Sequence, residues 1–223
     1  MRNKDYPYLT RTDAGRHLAS DLKHYRGGDT VVLAIPRGGV PVAVEVALVL
    51  ACDLDIIVPR KIPIPFNTEA GYGAVTEDGI IVLNDPLVRR LQLTEEEIER
   101  HAQEVMVEIR RRQEVFRAVL GPVPVKGKQT LVVDDGLASG YTMVAALKSL
   151  RKRGAHAVIA AAPVASADGW NLVRREADEV VCPIVSSSYP FAVAAFYKEW
   201  FDLTDEDALE CLEGFKKTVG RPS

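Results

Sequence analysis

The residues best equipped for chemistry lie together in Leu131-Val132-Val133-Asp134-Asp135-Gly136-Leu137-Ala138-Ser139-Gly140-Tyr141-Thr142. An apolar run with the look of a buried strand meets two adjacent carboxylates. A short loop with two glycines and two hydroxyls follows, and then a helical pattern. Backbone N–H groups at a helix N-terminus, reinforced by the helix dipole, make a cradle for an anion. Gly136 and Gly140 let the backbone approach a ligand, while Ser139 and Thr142 add hydroxyl donors. Asp134 and Asp135 would repel a phosphate but accept hydrogen bonds from hydroxyls. A sugar carrying a 5-phosphate and vicinal hydroxyls satisfies both halves. Negative charge beneath it would also stabilise an oxocarbenium-like transition state at the anomeric carbon.

The rest of the chain supplies the scaffold. Short apolar runs alternate with helical patterns, the mark of an α/β fold with a mostly parallel sheet. Strands are expected at Thr30–Ile35, Asp55–Val58, Thr130–Val133, Ala157–Ala161 and Glu179–Cys182. Helices are expected at Val40–Cys52, Thr142–Arg153, Ser166–Glu176 and, behind Thr204, at Asp205–Lys217. Thr94 with Glu97 forms a capping box for a long helix reaching about Val119, with a stripe at Ile98, Ala102, Val105, Ile109, Phe116 and Val119. Residues 60–83, rich in Pro and Gly, suggest a mobile loop followed by an antiparallel hairpin turning at Glu77-Asp78-Gly79. Arg110-Arg111-Arg112 reads as a solvated helix face.

The 131–142 stretch resembles the ribose-phosphate-binding signature of the type I phosphoribosyltransferases: an apolar strand, two acidic residues, a few small residues, then Ser/Thr-Gly-x-Thr. That resemblance implies a central, mostly parallel sheet flanked by helices, with a small hood and a flexible-loop hairpin. It implies one domain over 1–223, with its core at about 11–60 and 126–185, a loop, hairpin and long-helix insertion at about 60–125, and an aromatic hood segment at about 186–217. Ile35-Pro36-Arg37-Gly38-Gly39 takes the place of the family's pyrophosphate loop, which implies a cis peptide at Pro36–Arg37 and N–H groups of Arg37, Gly38 and Gly39 facing the leaving group. Arg60-Lys61, with Asn67-x-Glu69 and Gly71-x-Gly73-Ala74-Val75, looks like the flexible hood loop, and similar pieces mark a poorly characterised branch of the family.

The activity so implied is transfer of the 5-phosphoribosyl group from 5-phosphoribosyl 1-diphosphate to a nitrogen acceptor, a nucleobase, releasing pyrophosphate. Asp134 and Asp135 would hold the ribose hydroxyls, and residues 136–142 the 5-phosphate. Arg37, Gly38, Gly39, Arg60 and Lys61 would take the pyrophosphate. Mg²⁺ would travel with the diphosphate and draw on Asp134 and Asp135. Ala138 stands where 6-oxopurine-type members carry an aspartate, which disfavours hypoxanthine or guanine. Tyr189 or Phe191 could stack on a base. A homodimer in nucleotide metabolism is also implied.

Composition narrows the classes. The 223 residues are 47% hydrophobic and 26% charged, with a net charge of −3. That acidic balance gives no long-range attraction to nucleic acid, so a regulator that senses the same donor while binding RNA or DNA is the lesser alternative. Absence of a P-loop, GxGxxG, GxSxG, HExxH or CxxC pattern removes the ATPase, dinucleotide, esterase and zinc readings. Cys52, Cys182 and Cys211 suggest no disulfide framework. No apolar run suits a membrane span, and the start MRNKDYPYLTRTD has no signal-peptide pattern, so a cytoplasmic location is expected.

Overall fold

Alternation along the central strands builds the layers. In β1 (Thr30–Ala34), Val32 and Ala34 enter one apolar core while Val31 and Leu33 enter the other. A strand buried on both faces must be apolar throughout, and all five residues of β1 are buried. The computed structural model describes residues 6–65 and 67–220, with the side chains of 67–69 outside that description.

Helix α1 (Arg11–Asp21) precedes β1. Then come α2 (Gly39–Leu50), β2 (Asp53–Ile56), β3 (Arg60–Ile64), β4 (Asn67–Val75), β5 (Ile81–Leu83), α3 (Asp85–Leu91) and α4 (Glu95–Arg117). The second half runs β6 (Gln129–Val133), α5 (Tyr141–Lys152), β7 (Ala157–Ala161), β8 (Val164–Ser166), α6 (Ala167–Val173), β9 (Glu179–Val181), β10 (Ile184–Ser186) and α7 (Asp205–Thr218).

The main sheet is parallel, in the order β2-β1-β6-β7-β9. The chain builds outward from β1 to β2, then returns to the other side of β1 as β6. The switch of direction therefore falls between β1 and β6. Their carboxyl ends lie side by side and open the crevice where such sheets take ligands. One core packs α2, α4 and α7 against the sheet, and the other packs α5. Each fully buried Leu or Val contributes about 1.5–3 kcal/mol, so the buried strands hold the loops they aim firmly in place.

Residues 60–83 depart from expectation. The stretch read as a mobile loop pairs as β3 and β4, antiparallel, and β5 extends it to a three-stranded sheet. Gly71 and Gly73 make the pairing possible. A Cβ on Gly73 would meet Val82 O at 2.5 Å, and one on Gly71 would meet Ile62 O at 3.1 Å. The turn at Glu77-Asp78-Gly79 is present, with Gly79 at φ +79° and Thr76 N–H donating to Ile80 O at 3.1 Å.

The Thr94 capping box forms, with Thr94 N–H donating to Glu97 Oε2 at 2.9 Å and Glu97 N–H to Thr94 Oγ1 at 3.2 Å. Helices α1 and α3 go beyond the expected elements. Their starts carry legible caps, however: Thr10 Oγ1 accepts from Asp13 N–H and Asn84 Oδ1 from Leu87 N–H.

Candidate active site

A cavity of about 730 Å³ opens at the switch point. The loop leaving β1 contributes Pro36, Arg37 and Gly38, and the loop leaving β6 contributes Asp134 through Gly140 together with Thr142. Arg60 and Lys61 reach it from β3. Sites far apart in sequence meet because parallel strands deliver all their C-terminal loops to one edge of the sheet.

The β6 loop is held from outside. Leu137 N–H donates to Val164 O at 2.9 Å, Ser166 N–H to Leu137 O at 2.8 Å, and Ser166 Oγ to Ala138 O at 2.5 Å. Gly140, at φ +81°, passes so close to α6 that a Cβ would lie 2.9 Å from Gly169 O. No side chain caps α5, whose first bond runs from Val144 N–H to Gly140 O. The amides of its first turn, and the dipole behind them, therefore face the cavity loop uncovered by a cap.

The Pro36–Arg37 peptide is cis. Gly38 lies against the second aspartate so closely that a Cβ there would fall on the Asp135 carboxylate. Two candidate residues are placed differently from expectation. Gly39 does not line the cavity: its N–H donates to Ile35 O at 3.1 Å, and a Cβ would meet Val133 O at 2.6 Å. Its smallness lets α2 start against the end of β6, so its amide is not aimed at a leaving group. Tyr141 is also outside the lining, with its ring packed against the α5-side core. Asn67 and Glu69 have side chains outside the described residues.

Asp134 and Asp135 sit side by side, with Asp135 N–H donating to Asp134 Oδ1 at 2.8 Å. Burial, then the neighbouring Asp135 charge, pushes the Asp134 carboxyl well above the usual range. Burial lifts Asp135 as well, but the Arg11 guanidinium, 2.7 Å away, works against it. The proton of the pair therefore favours Asp134. Arg11 also donates to Phe201 O at 2.9 Å and lies 3.7 Å over the Trp200 ring. Tyr197 donates through its hydroxyl to Asp135 O at 2.6 Å. The C-terminal segment thus buttresses the acidic pair.

Neither expected stacking ring enters the cavity. Tyr189 is 99% exposed, and Phe191 packs on Phe196. Trp200 lines the cavity, with Arg11 over its ring. The arginine triplet is also corrected in part. Successive helical residues point about 100° apart, so the three cannot share one face. Arg110 is exposed, whereas Arg112, in register with the cavity-lining Glu104 and Glu108, turns inward and is 15% exposed. Among the described residues no group of three or more His, Cys, Asp or Glu side chains gathers around one point. No helix there is long and apolar enough to cross a membrane.

Residues 8–199 match the family model of the phosphoribosyl transferase domain. The chain belongs to that family. Among its relatives, a Mycobacterium tuberculosis H37Rv protein named "Putative phosphoribosyl transferase" is 39% identical over 203 residues, 91% of this chain and 46% of that one. The chain thus spans about half the length of the curated relatives it matches. A uracil phosphoribosyltransferase of Streptomyces coelicolor is 37% identical over 67 residues, 30% of this chain and 32% of that one. The crystal structure of the protein TT1426 from Thermus thermophilus superposes with a TM-score of 0.77 at 37% identity, covering 93% of this chain and 98% of that one.

For a phosphoribosyl transferase fold, Arg11, Arg112, Trp200 and Asp202 are among the lining residues that sequence reasoning missed. Thr10, which caps α1, was the available sign that an ordered element begins at Arg11. Nothing local marks the other three, whose places depend on how α4 and the C-terminal segment fold over the sheet edge.

Proposed function

We propose that this phosphoribosyl transferase domain moves the 5-phosphoribosyl group of 5-phosphoribosyl 1-diphosphate to the nitrogen of a small acceptor, a nucleobase, with release of pyrophosphate. One arrangement carries the reading: an acidic pair stands beside the uncapped N-terminus of α5, across one cavity from Arg37, Arg60 and Lys61. The amides and hydroxyls of Gly136 to Thr142 suit a monophosphate. The acidic pair suits the ribose hydroxyls and the positive charge that develops at the anomeric carbon as the diphosphate departs. The cationic side suits the diphosphate itself.

Asp134 and Asp135 are hard oxygen donors of the kind Mg²⁺ takes alongside diphosphate oxygens; bound there, the ion would supply neutralisation of the leaving charge. Arg11 favours the ionised form of Asp135 against burial and orients its carboxylate. The nitrogen acceptor enters on the side of Trp200 and Asp202. A homodimer acting in the cytoplasm completes the reading, with the chain working as one domain.

The test is direct. The protein is mixed with the diphosphate donor, Mg²⁺ and a panel of bases, and pyrophosphate is measured. Release that requires one base supports the transferase reading. Release without any acceptor indicates a hydrolase. No donor binding and no release would remove the proposal. Nucleic-acid binding finds little support in the charge distribution, because Arg151, Lys152 and Arg153 pair with Asp178, Asp78 and Glu77.

A further inference from the structure

Helix α4 brings an arginine to the cavity that the proposed roles above leave unused. Arg112 is 15% exposed, and its Nε is buried without a hydrogen-bond partner. Arg60, Arg37 and Arg111 are the cations that act on it, and the first two also line the cavity. The carboxylate that Arg37 and Arg112 share is Asp205, the first residue of α7, at 3.9 and 3.5 Å; Arg111 reaches the same carboxylate at 3.9 Å. Charge-assisted N–H···O bonds close to about 2.7–2.9 Å when they are properly made. These contacts are all longer, and Asp205 Oδ1 is buried with no hydrogen bond. One carboxylate thus sits loosely among three guanidiniums, with Arg60 a fourth cation nearby.

Burial makes this arrangement costly and suggests what would relieve it. Like charges crowded in a half-dry cavity repel, and burial together with Arg60 lowers the Arg112 pKa from its ordinary value. A ligand with several anionic oxygens would satisfy both the excess charge and the unpaired Nε. A nucleobase, which is neutral, would not. A planar guanidinium fork also matches phosphoryl oxygens two at a time. The site adjoins the Pro36–Gly38 loop, on the side assigned to the leaving group.

We propose that Arg112, with Arg37 and Arg60, binds the diphosphate of the donor, and that Asp205 is an internal counter-anion which the diphosphate displaces. This rests on the transferase reading above, but it assigns a diphosphate contact to α4, outside both phosphate loops. It also links α7 to occupancy, because Asp205 at the head of that helix gives up Arg37 and Arg112 when ligand enters and keeps only Arg111.

Binding of Mg²⁺–pyrophosphate and of ribose 5-phosphate is measured by calorimetry for the full chain and its variants, each first checked by thermal unfolding. Arg112→Gln is expected to weaken pyrophosphate by about ten- to a hundredfold, the loss of a hydrogen bond to a charged group. Ribose 5-phosphate, which has no diphosphate, should keep its affinity. Arg112→Lys should restore only part of the loss, since an ammonium replaces a fork by a point charge. Asp205→Asn should have the opposite sign and tighten pyrophosphate, because the competing anion is gone. Unchanged pyrophosphate affinity in Arg112→Gln, equal weakening of both ligands, or weakening in Asp205→Asn would overturn the inference while leaving the transferase reading intact. A wild-type protein that binds neither ligand would defeat both.

Discussion

Arg11 Nε donates to Asp135 Oδ2 at 2.7 Å, joining two residues 124 positions apart. The same guanidinium reaches Phe201 O and covers the Trp200 ring. The first residue of α1, the end of β6 and the C-terminal segment are therefore closed around one buried ion pair. Its side chains are 8% and 14% exposed.

Removing one partner should cost more than the pair contributes. Arg11→Ala leaves the buried Asp135 carboxylate without its guanidinium partner, and about 3–5 kcal/mol of stability should be lost. Arg11→Lys should recover part of it by keeping the charge, without the fork or the flat contact on Trp200. Urea unfolding of both variants tests this, and an Arg11→Ala protein as stable as wild type would contradict it.

Asp134 gives a pH-dependent prediction. Its carboxyl is raised in the folded protein above the value of 3.8 expected when unfolded. The folded state then binds the proton more tightly. The stability linked to Asp134 is fully present below about pH 4 and is lost as pH rises through the folded-state pKa. Asp134→Asn does not titrate there. Its unfolding temperature relative to wild type should rise as pH climbs from about 4 through the folded-state pKa, while the proposed transferase activity disappears. A pH-independent difference would refute the assignment.

Gly38 is a test of space alone, because its backbone is ordinary helical (φ −59°, ψ −35°). Gly38→Ala puts a methyl onto the Asp135 carboxylate, which must move. Donor affinity should fall by about tenfold or more, given that even a misplacement near 1 Å can cost on the order of a hundredfold in rate. Gly121→Ala, where nothing lies within 4 Å, is the matched control and should behave as wild type. Equal donor binding by the two variants would show that Asp135 has room to spare.

Much of the scaffold was legible because it follows local rules. The parallel strands are short apolar runs, α4 announces itself through Thr94 and Glu97, and α7 through Thr204 and Asp207. Residues 60–83 were harder. Their prolines and glycines resemble a loop in one dimension, and only the pairing of β4 with its neighbours shows Gly73 to be required by an adjacent strand.

By itself the sequence determined which residues make up the loop and the acidic pair, since these are consecutive residues at one strand-to-helix junction. It also pointed to the loop at Pro36–Gly38 and to the cations at Arg60 and Lys61. Only the tertiary structure decided which arginines face the cavity. Arg11 and Arg112 are surface-like letters in amphipathic helices, and a helix shows its inward face only once its partner is in place. Burial and long-range charge then assigned Arg11 to Asp135 and set Arg112 beside Arg60, because both effects are properties of proximity in space rather than of order along the chain.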